Sequence, residues 1–116
     1  MSVALGMAAL AAGLLFAVAR ARKGKAATAS GVLEKVKAGA KIVDVRTPEE
    51  FARGAYPGAV NIPLAALPRR LDEIPRGKPV VVYCASGMRS AAARRTLEEA
   101  GYAEVLDAGG LADMPR

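Results

Sequence analysis

The chain has no histidine and no tryptophan, and its 116 residues include a single cysteine, Cys84. Without histidine, whatever activates that thiol is not an imidazole, and a Cys₂His₂ metal site is excluded. One cysteine also excludes an intramolecular disulfide framework and a Cys₄ site. No other cluster of ligating residues replaces these, so the sequence implies a thiol site with no metal and no cofactor. Charge is missing as well from Val3 to Ala19, where every residue is apolar or glycine.

That uncharged run, with Ser2 at its head, makes a helix of about 27 Å against a bilayer core of about 30 Å. A core helix of a soluble domain would need a polar face, and this one has none. Residues 2–19 are therefore expected to form a transmembrane helix. Arg20, Arg22, Lys23 and Lys25 follow it directly, whereas Met1–Gly6 holds no Lys or Arg. By the positive-inside rule the domain faces the cytoplasm from the inner membrane. The alternative is an exported protein, because Ala17-Val18-Ala19 also reads as a signal-peptide cleavage site. The net charge of +6 resolves by position: the flank supplies +4 and leaves +2 for the remainder. No basic patch interleaved with aromatics is present, so nucleic acid is not an expected partner.

A basic linker is expected over 20–29 and one domain over 30–116, a length that suits a single small domain. Ser30 is placed to cap a helix carrying Val32, Leu33 and Val36, with Gly39 as its stop. Lys41–Val45 reads as a buried strand. Thr47-Pro48-Glu49-Glu50 has the cap, the proline and the acid of a capping box. Tyr56-Pro57-Gly58 is a turn before a short strand at Ala59–Ile62. Leu64–Ile74 reads as a short helix or two turns broken at Pro68. The strand Val80–Tyr83, a helix from Ser90 to Ala100 closed by Gly101, a strand at Glu104–Asp107 and a tail complete the chain. Strands alternating with helices over short connections predict an α/β fold, a three-layer domain with a central parallel sheet flanked by helices.

Cys84 stands where the strand turns into the helix, at the carboxyl end of a strand, the usual ligand position in such sheets. The loop Ala85-Ser86-Gly87-Met88-Arg89 can turn its backbone N–H groups toward one sulfur, with Gly87 allowing the tight path and Arg89 adding positive charge. Such surroundings favour a thiolate nucleophile. A buried structural cysteine is the competing reading. Arg46 is expected to pair with Asp44 or Glu50 and brace the first turn, or to attract an anion as a second cation. Ser90 and Asp44 are supporting residues, and Met88 either lines the entrance or faces solvent. Glu49, Glu50, Arg94 and Arg95 read as capping or solvated charges.

These motifs resemble the single-domain rhodanese-like sulfurtransferase family. The likeness lies in Ile42-Val43-Asp44-Val45-Arg46-Thr47-Pro48-Glu49-Glu50-Phe51 and in Pro57-Gly58-Ala59-Val60-Asn61-Ile62-Pro63. It continues in Val81–Ser90 and in Gly101-Tyr102 through Ala108-Gly109-Gly110-Leu111. The resemblance implies a persulfide on Cys84, a donor such as thiosulfate, and an acceptor that is cyanide or a cellular thiol. Two departures stand out. Ala55-Tyr56 replaces the His-Ile common before Pro-Gly-Ala, and Leu111 follows Gly-Gly where many members have tryptophan. A more open pocket wall is expected from the second.

Two further readings stand beside that one. The domain could be a persulfide carrier that hands sulfur to a membrane partner and turns over slowly. It could also be a phosphatase, whose loops in related enzymes place five residues between cysteine and arginine. Here four separate Cys84 from Arg89, a size suited to sulfur rather than to a tetrahedral oxyanion.

Overall fold

The computed structural model describes residues 26–116. The transmembrane helix expected over 2–19, and the linker as far as residue 25, lie outside the described residues. Among the described residues no helix is long and apolar enough to cross a membrane.

Four strands form one parallel sheet: β1 (Lys41–Asp44), β2 (Val60–Asn61), β3 (Val80–Cys84) and β4 (Val105–Gly110). Their spatial order is β2-β1-β3-β4. Among the described residues three α-helices accompany them: α1 (Ala29–Lys37), α2 (Pro48–Ala52) and α3 (Met88–Glu99). The expected architecture, a central parallel sheet flanked by helices, is therefore present.

Both central strands are covered on two faces, which is why β3 reads Val-Val-Val-Tyr-Cys without a polar alternate. Its side chains still alternate. Val80, Val82 and Cys84 face a layer with Ala93 and Leu97 of α3. Val81 and Tyr83 face the opposite layer with Val32 of α1, Ile42 and Met114. Because the side-chain period of a strand is two, this register commits Cys84 to the α3 side.

The chain leaves β1 for β2 on one side and returns to β3 on the other. The carboxyl ends of β1 and β3 thus flank the point where the order reverses, the crevice where such sheets bind ligands. Asp44 stands opposite Tyr83 there, one residue before Cys84.

Several boundaries differ from the sequence reading. Thr28 caps α1 instead of Ser30, its Oγ1 accepting from Gly31 N at 3.1 Å. The chain is already tied down at Ala27, whose N–H donates to Asp107 O at 2.7 Å, so the helix starts earlier. Leu64–Arg69 and Leu71–Glu73 are two 3₁₀ turns, and the break falls at Arg70 while Pro68 sits inside the first turn. Tyr102 fastens this segment by donating its hydroxyl toward the carbonyls of Leu71 and Ile74, at 2.8 and 2.6 Å. β4 runs on to Gly110 where a tail was expected, and a 3₁₀ turn follows at Leu111–Asp113.

Candidate active site

β3 delivers Cys84 to the mouth of the crevice, and the next six residues fold back over its sulfur. Gly87 has φ of 110°, a left-handed conformation that suits glycine, and it caps α3. This turn aims Gly87 N at Cys84 Sγ, 3.0 Å away. Ser90, fully buried in the first turn of α3, places its Oγ 3.5 Å from the same sulfur.

The Cys84 side chain is buried, and burial pushes its pKa up. The Ser90 hydroxyl and the backbone N–H groups of Ser90, Gly87 and Ser86 push it down. The hydrogen bonds prevail, so the thiol titrates below its ordinary value. No imidazole is required: the start of a helix and one hydroxyl create the thiolate environment.

β4 forms the other wall of the loop. Val82 pairs with Asp107, but Cys84 pairs with Gly110, so β4 carries one extra residue between these positions. This bulge brings Gly109 O within 3.3 Å of Ser90 Oγ. Asp107 Oδ1 steadies the bulge by accepting from Gly109 N at 2.9 Å. Asp113 Oδ2 accepts from Gly110 N at 2.8 Å. A Cβ at Gly110 would stand 2.4 Å from Ala85 O, so only glycine lets the two backbones come this close. Sequence reasoning saw the Gly-Gly pair as part of a motif but missed Asp107 and Asp113 beside it. Carboxylates two residues before and three after such a pair were the available signal.

Asp44 and Arg46 stand at the end of β1. Asp44 is fully buried and accepts from Arg46 N at 2.9 Å, from Nε at 3.0 Å and from Nη2 at 2.6 Å. Arg46 Nη2 also reaches Gly54 O at 2.8 Å, closing the end of α2. The guanidinium lies 5.6 Å from the centre of the Tyr83 ring. Of the two partners anticipated for Arg46, the structure chooses Asp44.

Arg89 does not turn its guanidinium onto the sulfur. It forms a two-pronged pair with Glu50, Nη1 to Oε1 at 2.7 Å and Nη2 to Oε2 at 3.0 Å. Glu50 is therefore more than a solvated or capping charge. It completes the capping box with Thr47 and crosses the crevice to the Cys84 loop. Arg89, with this pair first and the neighbouring Cys84 charge adding to it, has its pKa raised. Arg94, expected to be solvated, is instead buried on α3 beside Glu98, with Nε 3.8 Å from Glu98 Oε1.

Ala85 and Ser86 are exposed, and Met88 is 84% exposed, so of its two readings the structure selects the solvent-facing one. Where His-Ile is common, Tyr56 donates its backbone N–H to the Tyr83 hydroxyl at 3.0 Å. A cavity of about 480 Å³ lined by Val36, Tyr56, Leu111 and Met114 lies on the α1 side and does not include Cys84. Among the described residues no group of His, Cys, Asp or Glu is arranged to hold a metal ion.

A loop of this form, built on a lone thiol between a parallel strand and a helix, has close counterparts. The rhodanese-like domain family matches residues 28–112. The chain belongs to the rhodanese-like domain family. It is 45% identical over 69 residues to a sulfurtransferase of Allochromatium vinosum, covering 60% of this chain and 64% of that protein. It is 40% identical over 74 residues to the thiosulfate sulfurtransferase PspE of Escherichia coli, covering 62% of this chain and 71% of the relative. A solved rhodanese from E. coli with anions superposes with a TM-score of 0.62 at 38% identity, covering 66% of this chain and 95% of that one. The matched stretch thus spans just under two thirds of the Allochromatium protein.

Proposed function

We propose that the protein is a sulfurtransferase that moves sulfane sulfur through a persulfide on Cys84. The observation that carries this reading is the surroundings of one buried sulfur: Gly87 N donates to it at 3.0 Å, and the Ser90 hydroxyl accepts from the thiol at 3.5 Å, placed to turn its own proton from Gly109 O to the sulfur once the thiol ionises. They stabilise an anion at Sγ, and the same donors suit the terminal sulfur of a persulfide anion. With thiosulfate, the Cys84 thiolate attacks the outer sulfur. An S–S bond to Cys84 forms, the S–S bond of the donor breaks, and sulfite leaves with its electron pair. Cyanide then takes the outer sulfur as thiocyanate and restores the thiolate. A cellular thiol takes it as a persulfide.

Two half-reactions through a covalent intermediate give ping-pong kinetics, with parallel double-reciprocal lines. The direct test is intact mass of the full chain before and after thiosulfate, then after cyanide. Gain of one sulfur atom on Cys84 and its removal as thiocyanate are expected. A folded protein with a reactive thiol that gains no sulfur from any donor would refute the proposal.

The exposed Ala85, Ser86 and Met88 around the loop favour a second reading, a carrier that meets a protein partner at this open rim. Quantitative loading of Cys84 with slow release to small acceptors distinguishes the carrier from the enzyme.

The apolar run at 3–19 and the cations after it support anchoring in the inner membrane with the domain in the cytoplasm. Protease accessibility in spheroplasts and N-terminal sequencing separate this arrangement from export after cleavage at Ala19.

A further inference from the structure

The charges around the Cys84 loop come in cancelling sets. Arg46 is neutralised by buried Asp44. Arg89 is neutralised by Glu50 across the crevice. Asp113 adds a third carboxylate against the loop, since its Oδ2 holds Gly110 N and would stand 2.9 Å from a Cβ at Gly109. Two guanidinium groups thus stand among four carboxylates, with Asp107 on the β4 bulge as the fourth, before the charge of the thiolate is counted. The rim itself is uncharged: Ala85, Ser86 and the exposed Met88.

Glu50 is not a loose surface acid. Its Oε1 accepts from Thr47 N at 3.0 Å, from Thr47 Oγ1 at 3.1 Å and from Arg89 Nη1 at 2.7 Å. The start of α2 therefore fixes the carboxylate, and the two-pronged geometry fixes the guanidinium against it. With Arg89 first and the Thr47 N–H next, its pKa falls to about 2, so it stays ionised in any working buffer.

We propose that Glu50 is a specificity-determining residue: by cancelling the charge of Arg89 it turns the mouth away from dianionic sulfur donors and toward monoanionic donors with an apolar body. This inference rests on sulfur transfer at Cys84. The added negative charge of a dianion meets an Arg89 cation already paired with Glu50, whereas an apolar group finds Met88. The reaction is the same for both donor classes. Thiolate attack on the outer sulfur of thiosulfate expels sulfite, and attack on the outer sulfur of a thiosulfonate anion expels a sulfinate. Each step forms one S–S bond and breaks one sulfur–sulfur bond.

The test compares thiosulfate with methanethiosulfonate as donors to the full chain, in the wild type and in Glu50→Gln. Glutamine keeps an acceptor for the capping box and removes the charge. The thiosulfate to methanethiosulfonate ratio of kcat/KM is expected to rise about fivefold in Glu50→Gln at low ionic strength, as one charge removed several ångströms from the donor implies. The gain should fade at about 0.5 M salt, where the Debye length is only a few ångströms. It should vanish in Glu50→Gln/Arg89→Gln, because the released cation is its source. If Glu50→Gln does not fold, Arg89→Lys keeps the cation but loses the fork, and a higher ratio is expected there too.

An unchanged ratio, or equal losses with both donors, overturns the proposal and leaves Glu50 as a structural brace. Failure of Cys84 to take sulfur from either donor would instead remove the sulfur-transfer reading itself.

Discussion

Gly87 donates its backbone N–H to Cys84 Sγ at 3.0 Å, from a residue held at φ 110°. A left-handed residue at the head of α3 thus turns a main-chain donor onto the nucleophile, and the Ser90 hydroxyl, one helical turn later, accepts from the thiol at 3.5 Å. The reactivity of the thiol is a property of the strand-to-helix turn, and each neighbour that shapes the turn should be visible in the chemistry of the sulfur.

The rate of Cys84 alkylation by iodoacetamide should follow a titration curve with its inflection below that of a free thiol. Ser90→Ala removes the hydroxyl partner of the sulfur and should move the inflection upward, because that hydroxyl is one of the groups that hold the thiol below its ordinary value. Cys84→Ser should abolish sulfur transfer and leave the circular dichroism spectrum in place. An inflection that ignores the Ser90 substitution would show that the backbone N–H groups alone set the thiolate.

Gly110→Ala and Gly77→Ala form a matched pair. A Cβ at Gly110 meets Ala85 O at 2.4 Å, whereas a Cβ at Gly77 meets nothing within 4 Å. The first change must displace the backbone of the Cys84 loop and should cost about 1–3 kcal/mol, with sulfur transfer falling as well. The second, on an exposed turn, should stay within about 0.5 kcal/mol of the wild type. Urea denaturation with a parallel activity assay reads both quantities, and equal stability of the two variants would contradict the close approach of β4 to the loop.

Asp44→Ala should be among the most destabilising single changes in the domain. It strips the buried Arg46 guanidinium of the carboxylate that takes its Nε and Nη2. Breaking a buried pair from one side costs about 3–5 kcal/mol, because the partner charge is stranded. Urea unfolding monitored by far-UV circular dichroism measures the loss. A cost near that of a surface change would show that water reaches Arg46.

Where a residue's part is set by its immediate neighbours in sequence, the sequence discloses it. Thr47, Pro48 and Glu50 announce α2 because a capping box is a local device. Cys84 and Gly87 announce the loop because strand, turn and helix follow one another directly. Asp44 and Arg46 are two residues apart and pair as the short reach suggests. Contacts across the crevice are a different matter. Glu50 and Arg89 stand 39 positions apart, and only the parallel pairing of β1 with β3 brings α2 to the Cys84 loop. Arg94 is buried because the register of α3 on the sheet places it there, although an Arg-Arg pair reads as surface. The β4 bulge was hidden for a similar reason: its extra residue has meaning only against the spacing of β3.

Stability should depend on alkaline pH in two opposing steps, each traceable to one residue of β3. The folded pKa of Cys84 lies below the 9.0 of an ordinary thiol, because the Ser90 and main-chain donors outweigh its burial. Between these two values the unfolded chain holds a proton that the folded chain has released. Stability therefore rises with pH through this window, reaches its full value above it, and is lost as pH falls through the folded pKa. Tyr83 acts with the opposite sign. Burial lifts its phenol from 10.0 to about 12, so the folded chain keeps a proton that the unfolded chain gives up. Its contribution is complete below pH 10 and disappears as pH climbs toward about 12. Urea midpoints measured from pH 6 to 11 should thus rise, level near pH 9 and then fall. In Cys84→Ser the rise should be absent and the fall unchanged, whereas a rise that persists in that variant would assign it to a group other than the thiol.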